Sequence, residues 1–224
     1  MINLPNVTLF CISSNKVQDA IKVLQYSMRG INFGAVKLIT HEDPGNLPDG
    51  IEFSKCYEIK SIHDYNYYCL YNLTNHIDTD YCLLIQPDGF VINPEQWDDD
   101  WFNYDYIGAP WALAEDAYLD PWGKPHRVGN GGFSFRSKKL LDVPKHAYIH
   151  FDVNWGDFYK HMNVGFTSED GNICVHNRHI YEALGCKIAP LEVAARFSHE
   201  RPLPETQGIK PFGFHFFLPE GTKL

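Results

Sequence analysis

Four groups of residues in this chain have the types and spacing to do chemistry. Asp88 lies in Gln86-Pro87-Asp88-Gly89, directly after the apolar run Tyr81-Cys82-Leu83-Leu84-Ile85. Such a run reads as a buried strand, and Pro-Asp-Gly supplies the fixed φ, local hydrogen bonding and steric freedom of a tight turn. A carboxylate at the carboxyl end of a strand in an open α/β sheet is placed to hold a metal ion or a polar substrate, and the same residues also suit a plain link between two strands. Asn130, Gly131 and Gly132 belong to a glycine cluster, Val128 to Phe133, whose backbone could approach a ligand closely or simply form a bulge. Glu169 and Asp170 follow Ser168 and precede Ile173, His176, Ile180 and Leu184 at helical spacing. Acidic residues are favoured in a helix's first turn, so the pair reads as a helix start or as a general base held there. The fourth group is His199 and His215, each set among aromatic residues, where a histidine serves as a packed core residue or as a metal ligand.

These groups need elements to position them. Val7 to Ile12 reads as a first strand, Ser13-Ser14-Asn15 as a helix entry, and Val17, Ala20, Ile21 and Leu24 as the apolar stripe of the helix after it. Val36 to Thr40 reads as a second strand, Tyr57-Glu-Ile as a third, and His63 to Asn75 as a helix leading into the strand that ends at Ile85. Strands alternating with helices predict a mostly parallel central sheet flanked by helices, with right-handed crossovers and a first half like a nucleotide-binding βαβ unit. The second half is less regular, with a turn-rich stretch from Trp97 to Trp122, one clear helix after Asp170 and an aromatic tail. No repeat, low-complexity segment or linker interrupts residues 1–224, which predicts one domain.

Composition narrows the function classes. The formal charge of −9 argues against a nucleic-acid backbone as partner, because phosphate contacts need clustered Lys and Arg. A polyanionic ligand could still bind through a cation. The six cysteines stand singly in apolar contexts without a Cys-x-x-Cys pair, and read as reduced core residues. No stretch of about 18 apolar residues and no basic-flanked leader is visible, so a cytoplasmic protein without a transmembrane segment is expected.

The order of the pieces adds to this. A strand ending near an acidic turn, a glycine loop, Glu-Asp at a helix start and a late His resemble the GT-A class of nucleotide-sugar-dependent glycosyltransferases. The segments Asp80 to Phe90, Tyr104-Asp-Tyr-Ile-Gly-Ala-Pro-Trp111, Gly129 to Ser134 and Phe212-Gly-Phe-His215 are similar to a family of uncharacterised glycosyltransferase-like proteins of bacteria and large DNA viruses. The resemblance spans nearly the whole chain. It implies a GT-A-like α/β domain with a nucleotide-binding N-terminal half and an acceptor-side C-terminal half. It further implies Mn²⁺ or Mg²⁺ held by Asp88 and His215, with His199 the alternate ligand. Gln86 stands where the class often has its first Asp, able to hydrogen-bond a ribose or base but adding no charge. Ser13 would face the nucleotide, Asn130, Gly131 and Gly132 the donor sugar, and Asp170, with Glu169 beside it, the acceptor hydroxyl. Trp111 would be a sugar platform or a core residue.

The activity implied by the resemblance is an inverting sugar transfer from a nucleoside diphosphate sugar to a hydroxyl of a saccharide or glycoconjugate acceptor, in the cytoplasm, or in a host cell or virion if the source is viral. A noncatalytic carbohydrate- or nucleotide-sugar-binding protein on the same fold is the alternative, and a phosphohydrolase of nucleotide sugars a third reading.

Overall fold

The computed structural model describes residues 1–112, 119–151 and 168–219. Eight strands and six α-helices are named here in chain order: β1 (Ile2–Ile12), α1 (Val17–Ser27), β2 (Ile31–Thr40), β3 (Glu52–Lys55), α2 (Ile62–Tyr71), β4 (Tyr81–Ile85), β5 (Tyr106–Ile107), β6 (Ser134–Ser137), α3 (Lys138–His146), α4 (Glu169–Gly171), α5 (Arg178–Ala183), α6 (Leu191–Phe197), β7 (Ser198–His199) and β8 (Gly213–Phe214).

The central sheet has the order β3-β2-β1-β4-β6-β5. Strands β3, β2, β1 and β4 run parallel, β6 is antiparallel to both β4 and β5, and a mostly parallel sheet results. Alternation along β1 divides the core. Phe10 and Ile12 join Cys82 and Leu84 of β4 and residues of α2 and α3 on one face. Leu9 and Cys11 join Leu83, Ile85 and residues of α1 and α6 on the other. All six cysteines are free and buried, as their apolar settings predicted. No helix among the described residues is long and apolar enough to cross a membrane.

Several expected boundaries move for identifiable reasons. β1 and β2 begin earlier than Val7 and Val36, because the pairing continues through a register shift between Leu4 and Thr8, on either side of Pro5. The third strand lies at Glu52–Lys55, not at Tyr57-Glu-Ile. Its pairing with β2 ends at Thr40↔Lys55, where β2 itself ends and leaves the later segment no partner. The helix expected after Asp170 is broken: α4 is a single turn, Asn172–His176 forms a π turn, and α5 starts at Arg178. Leu184 is exposed rather than part of the buried stripe. Within the Trp97 to Trp122 stretch, Asp99–Asn103 forms a 3₁₀ turn that buries Trp101, while residues 113–118 lie outside the described residues.

Order reverses between β1 and β4: β2 and β3 lie on one side of β1, and β4 and β6 on the other. In open α/β sheets the carboxyl ends at such a switch point form the ligand crevice, and Ile85 of β4 delivers the chain there.

Candidate active site

The Gln86-Pro87-Asp88-Gly89 turn closes as expected, with Gln86 N–H donating to the Gly89 carbonyl (2.8 Å) and Gly89 N–H to the Gln86 carbonyl (3.0 Å). Asp88 is exposed at its tip. Directly after Gly89 the chain does not continue in the central sheet. Phe90 to Asn93 instead zip against the tail: Ile92 N–H donates to the Phe212 carbonyl (3.0 Å), Phe214 N–H to that of Phe90 (3.4 Å), and Phe216 N–H to that of Asp88 (2.7 Å). This crossing brings a histidine from the end of the chain onto the turn. Phe216, which comes directly after His215, has φ 68°. An aromatic residue in the left-handed region is uncommon and strained, and here it turns the chain just past the imidazole.

His215 is the centre of the cluster. Its Nε2 lies 3.2 Å from Gln86 Oε1 and 3.9 Å from Asp88 Oδ1. Its Nδ1 lies 3.1 Å from Asn130 Nδ2 and 3.9 Å from Glu200 Oε1. Gln86 Nε2 in turn donates to the Tyr65 hydroxyl (2.8 Å). The glycine loop approaches from the other side, because β6 is antiparallel to β4 and pairs Ser134 with Leu84, so the residues just before Ser134 lie at the same edge as Gln86. A Cβ on Gly132 would overlap the His215 ring, and one on Gly131 would overlap the Glu169 carboxylate, so two consecutive glycines admit both groups. Asn130 has φ 61°, a conformation asparagine tolerates. It is buried, and among the described residues its Oδ1 has no hydrogen-bond partner.

The two acidic neighbours have different surroundings. Glu169 is 3% exposed and pairs with Arg136, itself 0% exposed, at 2.7 Å. Burial first, and the Asp170 charge second, push the Glu169 carboxyl up, against the lowering effect of Arg136. Asp170 is half-buried, its Oδ2 accepting from Gly131 N–H (2.8 Å) and its Oδ1 from Gly171 N–H (2.7 Å). A one-turn α4 has little dipole. The carboxylate is held instead by these two N–H groups, while Ser168 Oγ accepts from Gly171 N–H (3.4 Å) as the expected cap.

Other expected residues lie apart from this cluster or beneath it. Ser13 stands at the end of β1, but its Oγ accepts from Lys16 N–H (3.0 Å) at the entry to α1. Trp111 is buried in the core with Tyr106 and Val128, its ring against Gly129, so it supports the glycine loop from within. His199 has its ring engaged by the Ala195 carbonyl (Nε2 to O 2.9 Å), and burial lowers its imidazole. Its own carbonyl accepts from His215 N–H. A cavity of about 920 Å³ begins beside it, lined by Arg201, Leu203, Gln207, Ile209 and Phe217 among others. Residue types and spacing alone assign no role to Tyr65, Arg136 or Glu200. Arg136 is signalled only as a charge in the short strand Ser134-Phe135-Arg136-Ser137.

Among the described residues no group of three or more His, Cys, Asp or Glu side chains is arranged to hold a metal ion. The donors at the turn are one carboxylate, one imidazole and the Gln86 amide oxygen. Adjacent ligands on an octahedral cation with bonds of about 2.1 Å stand about 3 Å apart. About Nε2, Gln86 Oε1 at 3.2 Å is near that value and Asp88 Oδ1 at 3.9 Å is beyond it, so the chemistry of the donors suits a divalent cation and their spacing would have to tighten to hold one.

The structure is similar to that of the galactosyltransferase LgtC in complex with donor and acceptor sugar analogues, with a TM-score of 0.58 at 13% identity, over 95% of this chain and 87% of that one. An active-site mutant of LgtC matches with a TM-score of 0.58 at 14% identity, over 95% of this chain and 88% of that one. A glycosyltransferase involved in glycosylating the major capsid of PBCV-1 matches with a TM-score of 0.49 at 13% identity, over 97% and 94%. The likeness to LgtC is one of fold, and that fold is GT-A-like. No curated protein matches the sequence. The family described as "Protein of unknown function (DUF5672)" matches residues 49–215, most of the chain, and the protein belongs to that family.

Proposed function

We propose that this protein is a glycosyltransferase that moves a sugar from a nucleoside diphosphate sugar to a hydroxyl of a saccharide or glycoconjugate acceptor, with inversion. The strongest support for this reading is the convergence at one sheet edge of groups as far apart in sequence as Gln86 and His215, 129 residues, with Asp88, the Asn130 to Gly132 loop and Asp170 around them. Asp88, His215 and Gln86 would hold Mn²⁺ or Mg²⁺. Bound there, such a cation neutralises charge on a diphosphate leaving group, work the acidic protein has few basic side chains to do.

The chain's own groups do the rest. Gly131 and Gly132 admit the Glu169 carboxylate and the His215 ring close to the backbone, and the orphaned Asn130 Oδ1 beside them is an acceptor for a donor-sugar hydroxyl. Asp170 is oriented by two N–H groups, and each oxygen keeps a second lone pair with which to take a proton from the acceptor. Glu169 is the inner member of the pair, engaged by Arg136, and supports Asp170 rather than meeting substrate.

The test is a set of nucleotide sugars offered with Mn²⁺ and saccharide acceptors. Asp170→Asn is expected to retain donor binding by calorimetry and lose about 10²–10⁴-fold in transfer, as removal of a general base does. Transfer by this variant near the parent rate, or a product that keeps the donor's anomeric configuration, refutes the assignment.

A further inference from the structure

The cavity of about 920 Å³ beside His199 takes both of its walls from segments that reach the candidate site. One wall leaves from His199, whose carbonyl accepts from His215 N–H (2.9 Å), and runs through Arg201 and Leu203 to Ile209. The other is the tail just past His215. There Phe217 N–H donates to the His215 carbonyl (2.8 Å) across Phe216 at φ 68°, which is the rare and strained form of the γ-turn. Backbone strain of this kind collects at ligand sites, and this turn brings the half-exposed Phe217 to the cavity. The volume is within the range of about 300–1,000 Å³ that small-molecule sites occupy.

The polar groups around this cavity differ in what they have left to offer. The Thr206 hydroxyl is spent on the Leu203 backbone and the His199 ring on the Ala195 carbonyl. Glu205 is taken by Arg127, and Glu200 faces His215. Arg201 is different. Every other arginine is engaged, Arg29 by the Tyr26 carbonyl and the rest by Glu205, Glu169, Glu182 and Asp98, whereas the exposed Arg201 guanidinium has no ion pair or hydrogen bond among the described residues. The Gln207 amide is also unengaged among them. In a chain of formal charge −9, an unpaired arginine in a cavity is a specific place for an anion, and its planar fork matches a carboxylate or a phosphate.

Resting on the transferase reading above, we propose that this cavity receives the acceptor and that the acceptor is an acidic saccharide. Arg201 holds its carboxylate or phosphate, Gln207 bonds a hydroxyl, and an apolar face of the sugar ring lies on Phe217. The remainder of the saccharide extends toward the sheet edge where Asp170 lies.

The probes are sialyllactose and galactose 6-phosphate, each set against its neutral counterpart, lactose or galactose, with inorganic phosphate alone as a further arm. They are titrated calorimetrically into the full chain without donor or added metal. The acidic sugar of at least one pair should bind about 10-fold tighter than its neutral counterpart, as a hydrogen bond to a charged group allows, and that preference should shrink as salt is raised. The pair that shows it identifies the anion as carboxylate or phosphate. Arg201→Gln should abolish the preference and Phe217→Ala should weaken binding of the acidic sugar, both with unchanged urea unfolding because these side chains are exposed or half-exposed. No preference for either acidic sugar in the parent protein, or a preference that survives in folded Arg201→Gln, overturns the proposal. Inorganic phosphate binding as tightly as galactose 6-phosphate overturns the saccharide assignment. Efficient transfer to neutral saccharides with no gain from an acidic group overturns this inference and leaves the transferase reading standing. Acidic sugars that bind through Arg201 but accept nothing from any nucleotide sugar with Mn²⁺ sink the transferase reading and leave the binding site standing.

Discussion

Removing the charge of Glu169 should destabilise this protein more than removing Arg136, although the two form one ion pair. Arg136 is 0% exposed, and its Nη2 reaches Glu169 Oε1 (2.7 Å) while its Nε donates to Ser134 Oγ (2.9 Å). In Glu169→Gln the guanidinium is left buried without its countercharge, and it cannot shed a proton. Breaking a buried pair from one side costs about 3–5 kcal/mol. For a protein of this size that is roughly 6–20 °C of melting temperature. In Arg136→Met the stranded group is a carboxyl that burial already pushes up, and it can take a proton at about 1.4 kcal/mol per pH unit. A carboxyl whose folded pKa is raised favours the folded state at low pH and loses that contribution as pH rises through the folded value. The cost of Arg136→Met should therefore shrink between pH 7 and pH 5, and that of Glu169→Gln should not. Urea unfolding of both single variants and the double variant at those two pH values measures this, and the double variant should cost less than the sum of the singles. A Glu169→Gln cost below about 1 kcal/mol, or additive costs, refutes the pair as a brace for Asp170 and the glycine loop.

The same geometry sets three further outcomes. Trp111→Ala should cost about 3–5 kcal/mol in ligand-free unfolding, because the ring is buried against Gly129, and a normally stable variant with only weakened acceptor use would instead make it a sugar platform. Gly132→Ala should cost about 1–3 kcal/mol by overpacking and weaken cation binding about 10-fold, since the added methyl displaces the His215 ring, and unchanged calorimetric affinity would count against His215 as a ligand. Burial holds the His176 imidazole down to about 4. A histidine with a depressed pKa gives stability that is complete above its ordinary range and lost as pH falls through the folded value, on the order of 3 kcal/mol between pH 7 and pH 4. His176→Phe should flatten that limb in urea unfolding, and an unaltered acid limb would exclude it as the source.

Local pattern carried the parts of this fold in which one segment buries itself. The apolar run of β4, the stripe of α1 and the Pro-Asp-Gly turn each satisfy their own periodicity or turn chemistry, so they could be placed by reading along the chain. The parts that were misplaced depend on partners. β3 is short, has no buried residue and no apolar alternation, and is a strand only because β2 offers it four residues. The break between α4 and α5 leaves no signal in the spacing of Ile173, His176 and Ile180, since one π turn shifts the register without changing residue types. The site shows the same division. Chain order brought Asp88, the glycine loop, Asp170 and His215 into one expectation, but nothing in that order distinguishes His215 from His199. Only the resemblance of Phe212-Gly-Phe-His215 favoured His215, and the structure separates their surroundings: the His199 ring meets the Ala195 carbonyl of α6, while the tail, through β8 beside β7 and its bridge to Val91, leaves His215 facing Gln86 and Asp88. Likewise Glu169 and Asp170 are equivalent as sequence neighbours, and Arg136, 33 residues earlier, separates their surroundings by drawing one carboxylate into the core. A site assembled by long-range crossings is thus legible in sequence as a set of residue types. Which of them stay accessible at the sheet edge is fixed only by the partners that occupy the others.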